Sequence, residues 1–210
     1  MRLILNSRAG RAAARVARSF LHQIARLRGA RDGVSAVEFA ILAPVMITMW
    51  LGTAEVGSAV GASWKTKLVA RTMADLAART TIVTNQGMAN IFDATSAVVY
   101  PYDVKMLSMR LTSIKRSGSG ASLVVWSDVS PGSKVTARPT GSSVTVPPGI
   151  LNNTGETVIF AETFYRYKPI SDWVINKGIF TLTGDPNEQY FPINYEFFMT
   201  PRLAEVVRSP

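Results

Sequence analysis

Carboxylates are the residues in this 210-residue chain with the clearest chemical potential, because the other reactive groups are scarce. The chain has no Cys and a single His, His22. A Ser-His-Asp centre, a thiolate nucleophile, a disulfide or a His-ligated metal site therefore has too few parts. Glu156 and Glu162 are an even number of positions apart, so both side chains fall on one face of a strand, as a general acid and base would. The simpler reading is a pair of solvated strand charges. In "GDPNEQY", Asp185, Asn187 and Glu188 bring together oxygen ligands suited to Ca²⁺, but the stretch lacks the length and glycine placement of an EF-hand loop. An ordinary polar turn explains it as well. Trp126, Trp173, Tyr165, Tyr167 and Tyr190 form either an aromatic binding patch or core; Tyr165 and Tyr167, two apart, share a strand face suited to covering a helix. Arg166 and Lys168 then share the opposite face, as solvated surface.

A further carboxylate, Glu38, lies at the head of the longest apolar run in the chain, "RDGVSAVEFAILAPVMITMWLG". Ser35-Ala36-Val37-Glu38 has the spacing of a helix capping box, and an acidic residue in a first helical turn is favourable in itself. A carboxylate inside a membrane costs about 2.5–3.5 kcal/mol on insertion scales, so a partner for it would matter.

These residues sit in a chain with two distinct parts. The net charge of +9 is concentrated in residues 1–33, which hold eight Arg and one Asp (+7), leaving +2 for the rest. Beyond that leader no basic cluster interleaves with aromatics, so the electrostatic case for nucleic acid is weak there. From Ser7 to Arg28 the Arg residues recur at three- and four-residue steps opposite Val16, Phe20, Ile24 and Leu27, the pattern of a basic amphipathic helix. It either lies on an anionic membrane or stays solvated in the cytoplasm. Phe39 to Ala54 is sixteen residues without a charge, and Glu55 alone interrupts the run to Trp64. This predicts a membrane span, with the Arg-rich side cytoplasmic. The apolar run and the basic region before it are too long for a simple secretory signal.

One helix from Val34 to Arg79 is the simplest reading, about 70 Å long, with its second half packed on a soluble domain. Leu68, Met73, Leu76 and small Ala residues mark its apolar side, and Pro44 should kink or open it. Further on, "GMANIFDATSAVV" predicts a short helix, "VKMLSMRLTSIK" and "ASLVVWSDV" a hairpin, and "PGSKVTARPTGSSVTVPPG" an irregular loop with room for one edge strand. "ETVIFAETFYRYKPI" and "YFPINYEFFMTPR" read as strands, and "SDWVINKGIF" as short helix or loop. The expected class is α+β: a long N-terminal transmembrane helix followed by a small antiparallel β-sheet domain, pilin-like in layout. The expected divisions are a leader at 1–33, the helix at 34–80 and an extracytoplasmic domain at 81–210.

A basic leader, then Gly33, four uncharged residues, Glu38, Phe39 and an apolar helix resembles a type IV prepilin cleavage site. More narrowly, "GVSAVEFAILAPVMITMWLGTAEVG", "FYRYKPI" and "FFMTPR" resemble the TadE-like family, minor pseudopilins of the tight-adherence (Tad, or Flp) pilus. The resemblance is dense over the helix and sparse elsewhere. It implies cleavage between Gly33 and Val34 by a prepilin peptidase. It also implies an assembly role for Glu38, as the partner of a new N-terminal amine, and for Phe39. Further implications are residence in the bacterial inner membrane with the C-terminal domain periplasmic, and partnership with other pilus subunits, minor pseudopilins and the assembly platform. No cofactor, metal, nucleic acid or enzymatic activity is implied. Phe39, Ile41, Leu42, Val45, Met46 and Trp50 would pack on neighbouring helices, and Gly52, Gly57 and Gly61 would allow close approach. The alternative is a signal-anchored extracytoplasmic enzyme or ligand-binding module that uses the helix only as an anchor. A membrane protein binding nucleic acid through the Arg leader is a third reading, and it fails if the leader is removed.

Overall fold

The computed structural model describes residues 32–169, 190–203 and 205–209. The leader, the 171–180 stretch, Trp173 and the Ca²⁺ candidates Asp185, Asn187 and Glu188 lie outside the described residues. The class is α+β, as expected: a long N-terminal apolar helix followed by a small antiparallel sheet. The chain divides into two compact units, Met1–Thr53 and Ala54–Pro210.

The described part of the first unit is the N-terminal portion of helix α1, which runs from Asp32 to Ala78. Phe39, Ile41, Leu42, Val45, Met46 and Trp50 are each more than half exposed. A helix apolar around its circumference has no water-facing side, which suits a lipid or protein surround rather than a single packed face. Among the described residues α1 is the one helix long and apolar enough to cross a membrane. It is unbroken through Pro44, so the expected opening is not a helix break. Thr48 Oγ1 donates to the Pro44 carbonyl at 2.7 Å, and Thr53 Oγ1 to that of Met49 at 2.8 Å. These back-bonds satisfy the hydroxyls within the helix itself.

In the second unit α1 becomes one-sided. Ala62, Thr66, Val69, Ala70, Met73, Ala74, Ala77 and Ala78 are buried at steps of three and four. Their small size lets the helix backbone lie close to the sheet. Leu68, expected on this side, is 47% exposed; one position before Val69, it is rotated about 100° away from the buried stripe.

The sheet has strands β2 (Leu107–Arg116), β3 (Ser122–Val129), β4 (Thr157–Tyr167) and β5 (Phe191–Met199), ordered β3-β2-β4-β5 with every pair antiparallel. The β2–β3 hairpin is as expected, and its turn needs Gly120, whose φ of +84° favours glycine. On β4 the side chains alternate as a pleat requires. Ile159, Ala161, Tyr165 and Tyr167 join the core with α1 and with Met88, Ile91 and Phe92, while Val158 and Phe160 join a second cluster with Ile114, Val144 and Leu151. The Pro/Gly-rich loop covers that second face, so the central strand is buried on both sides. The loop contributes one isolated bridge, Ser143 to Leu123, rather than a strand.

Helix α2 (Asn85–Ser96) begins where Thr84 Oγ1 accepts from the Gly87 amide at 3.1 Å, a side-chain N-cap. A parallel two-residue ladder joins β1 (Ile82–Val83) to β6 (Val207–Arg208). Two residues carry no alternation to read, and this ladder was not anticipated. One buried side-chain atom, Ser113 Oγ, has no partner among the described residues. Burying a hydroxyl unpaired is unfavourable, so Ser113→Ala is expected to leave the melting temperature unchanged or to add up to about 1 kcal/mol of stability in denaturant titration.

Candidate functional site

Gly33, Val34, Glu38 and Phe39 all lie in the first two turns of α1. Val34 and Glu38 are four apart and so share a helix face, and the Glu38 side chain is exposed. The helix is already running at Asp32, three residues before Ser35. Ser35 is therefore an interior helical residue and not an N-cap, which overturns the capping-box reading of Ser35 and Glu38. A methyl group added at Gly33, Gly52 or Gly57 would meet nothing within 4 Å. At Gly61 it would collide with Tyr102 Oη. The small size of Gly61 is thus used within the chain, to admit Tyr102, and not for an approaching helix.

Glu55 does find a partner. Tyr167 Oη donates to Glu55 Oε1 at 2.7 Å. Close by, Tyr102 Oη donates to the Ser58 carbonyl at 2.9 Å, and the Tyr102 ring meets Tyr165 edge-on at 6.3 Å. Further along the helix, Ser63 Oγ and Tyr195 Oη are 2.7 Å apart, and Thr163 Oγ1 donates to the Thr66 carbonyl at 3.2 Å. These polar rungs fix the register of helix on sheet, which apolar contacts alone leave free to slide. Burial pushes the Tyr167 phenol up to about 12, with the neighbouring Glu55 carboxylate adding to the rise and a hydrogen bond with Ser58 opposing it. Burial likewise raises Tyr165, with Asp103 adding to it.

A phenol whose folded-state pKa lies above its unfolded value stabilises the fold fully below about pH 10 and loses that contribution as pH rises toward 12. Spectrophotometric titration of the phenols is expected to show a late ionisation near pH 12 that Tyr167→Phe removes, together with a loss of stability between pH 10 and 12 that is smaller in the variant.

The two strand carboxylates do not form an acid/base pair. Glu156 precedes β4 and accepts hydrogen bonds from the Asn153 amide at 3.0 Å, from the Asn153 side chain and from the Asn152 amide at 2.6 Å, which hold its carboxyl below the usual range. Glu162 is six residues further along the strand, about 20 Å away, whereas glycosidase carboxylates stand about 5–10 Å apart. Nor is Glu162 a solvated charge, as its spacing suggested. It is 2% exposed and is gripped by Arg110, at 2.6 and 2.5 Å, and by Arg138, at 3.2 and 2.9 Å. The guanidinium groups lie over the rings of Phe164 and Phe160, each 5.5 Å from the centroid.

Trp126, Tyr165 and Tyr167 are buried in the core, which favours packing over an open aromatic patch. Tyr190 is half-buried beneath Arg166, 5.1 Å from its ring centroid, and Lys168 is exposed. Arg166 is thus half-buried rather than the solvated charge expected of it. Among the described residues no three His, Asp or Glu side chains converge as a metal site would require.

The comparison with known families falls on α1. Residues 33–81 match the family model for TadE-like protein. The TadE-like segment starts at Gly33 and ends three residues past α1, so it covers the apolar helix with Glu38 and Glu55 and leaves the four-stranded sheet outside. It associates the chain with Tad pilus systems. No curated protein and no solved structure matches the chain significantly.

Proposed function

We propose that this protein is a minor pseudopilin that takes part in assembly or priming of a Tad-type pilus, without catalysis of its own. The observation that carries this reading is the coincidence of the family match with Gly33, Glu38 and the apolar helix. In this reading residues 1–33 are a leader removed by a prepilin peptidase, and Val34 becomes the first mature residue. Its new α-amine is a cation at the head of a helix, where the dipole is unfavourable to positive charge, and Glu38 offers it, or that of a neighbouring subunit, a carboxylate. Phe39 and the exposed apolar residues after it then pack against other subunits or lipid. The Arg-rich side remains cytoplasmic, the helix spans the inner membrane, and residues 81–210 form the periplasmic domain, with the second half of α1 serving as its core helix.

The test is the intact mass of the membrane-extracted protein, expressed with and without the matching prepilin peptidase. With the peptidase, a 177-residue species beginning at Val34 is expected, and Glu38→Gln should be processed normally yet recovered poorly with sheared pili. An unchanged mass in pilus-producing cells would contradict the proposal.

A further inference from the structure

Near the end of α1, Leu68, Arg71, Asp75 and Arg79 follow one another at steps of three and four and so share the side of the helix turned from the core. With Met199 of β5 and Arg202 they line a groove of about 340 Å³. Three guanidinium groups and one carboxylate meet in it. Arg79 and Arg202 each bind Asp75 through Nη2, at 2.5 Å. The Arg202 amide also donates to the Ala78 carbonyl at 2.9 Å, which fixes that residue against the end of the helix. Two guanidinium groups carry about ten N–H donors between them, whereas a carboxylate accepts about four hydrogen bonds. Both side chains are more than half exposed, at 58% and 54%, so the surplus donors are open to a ligand. Arg71, one turn before Asp75, is exposed and makes no ion pair among the described residues, and Lys67 is exposed a turn earlier on the same face.

The acidic residue of β5, Glu196, pairs in register with Glu162 and so lies on the other face of the sheet. Elsewhere Lys115 and Arg208 each have a carboxylate of their own, and the other carboxylate shared by two cations, Glu162, is buried. Like charges four apart on a helix, as Lys67 and Arg71 are, repel by a few tenths of a kcal/mol, a cost that an incoming anion removes. Arg71 and Arg79 are eight positions apart, about 12 Å at helical rise. In an extended chain about 13 Å is four residues, a spacing that also puts two carboxylates on one face with one side chain between them. Leu68 and Met199 offer that middle side chain an apolar wall. We propose that this groove docks an extended acidic segment of a protein partner, with two carboxylates four residues apart on Arg71, Arg79 and Arg202 and an apolar residue between them. A protein and not a lipid is the occupant because of height. A bilayer core of about 30 Å takes roughly twenty helical residues, from Phe39 to about Ser58, which leaves Asp75 about 25 Å farther along the helix, beyond the Debye length of about 8 Å. That choice rests on the reading that α1 spans the bilayer.

The absence of Cys makes the test direct. Thr72→Cys, in the groove, and Gly118→Cys, in the β2–β3 turn, each carry an environment-sensitive fluorophore on the full chain in detergent. The probe is the capped peptide Thr-Glu-Thr-Val-Thr-Glu-Thr, whose β-branched residues disfavour a helix, and its counterpart has Gln for both Glu. The local label is read, not total binding, because the eight Arg of residues 1–33 also attract an acidic peptide. The Glu peptide is expected to shift the label at 72 saturably and to leave 118 unmoved, with affinity at least about tenfold weaker in Arg71→Gln/Arg79→Gln. An equal response to the Gln peptide, an unchanged affinity in the double variant, an equal shift at 118, or no shift up to about 1 mM overturns the proposal. In vesicles without peptide, a shift at 72 on adding phosphatidylglycerol assigns the groove to lipid and overturns it too. Val45→Cys, labelled and placed in brominated lipid, tests the span separately: loss of its quenching overturns the spanning reading, whatever the peptide does at position 72.

Discussion

Glu162→Ala is expected to cost about 3–5 kcal/mol, a large share of the stability of a domain this size. Glu162 is 2% exposed, and the side chains of Arg110 and Arg138 are only 15% and 28% exposed. Removing the carboxylate leaves two guanidinium groups facing each other with little water to screen them. Arg110 keeps its bond to the Thr136 carbonyl at 3.0 Å, which does not offset a lost bidentate ion pair. Because the penalty comes from the uncompensated cations, replacing all three members by apolar residues (Glu162→Leu, Arg110→Met, Arg138→Met) should recover most of the loss. Thermal and denaturant unfolding of the full chain in detergent, followed by tryptophan fluorescence, measures both. If the single variant loses less than about 1 kcal/mol, the triad is weaker than its burial implies.

The second large effect is expected at Trp126. Its indole is 6% exposed in the core, and Nε1 donates to the Val206 carbonyl at 2.8 Å. Trp126→Ala removes the ring and should cost about 3–5 kcal/mol, while Trp126→Phe keeps much of the packing and should cost about half as much. The loss should be felt beyond the cavity. Val206 is fully buried and immediately precedes β6, whose ladder is held by Val207 N to Thr81 O at 2.9 Å and Ser209 N to Val83 O at 3.0 Å. Freed from Trp126, that terminal segment retains Arg208 on Asp128 as its main side-chain anchor. Hydrogen exchange at the Val207 and Ser209 amides is therefore expected to accelerate more than exchange in β4. Uniform acceleration across both would mean that the terminus and sheet open only together.

What was legible in the residues and what was not divides along the range of the interactions. The long helix, the β2–β3 hairpin and strands β4 and β5 were readable because their signals are local: an uncharged run of sixteen residues, Gly/Ser between two alternating stretches, and alternation itself. The segment from Gly33 to Phe39 was readable for the same reason, since a glycine, a carboxylate and an aromatic at fixed offsets need no tertiary partner to be noticed. The status of Glu162 was not readable. Its arginines are 52 and 24 positions away in sequence, and strand spacing says which face a charge takes but not whether that face is covered.

The sequence by itself determined the helix, the strand set, the placement of Glu38 and the α+β class, because apolar periodicity and turn chemistry act over a few residues. Only the tertiary structure decided that Gly61 makes room for Tyr102, that Tyr167 supplies the partner of Glu55, that Leu68 faces outward and that the C-terminus returns to pair with β1. Each of those depends on two distant segments arriving at one place, and the packing of helix on sheet, not either segment's own pattern, sets where they meet.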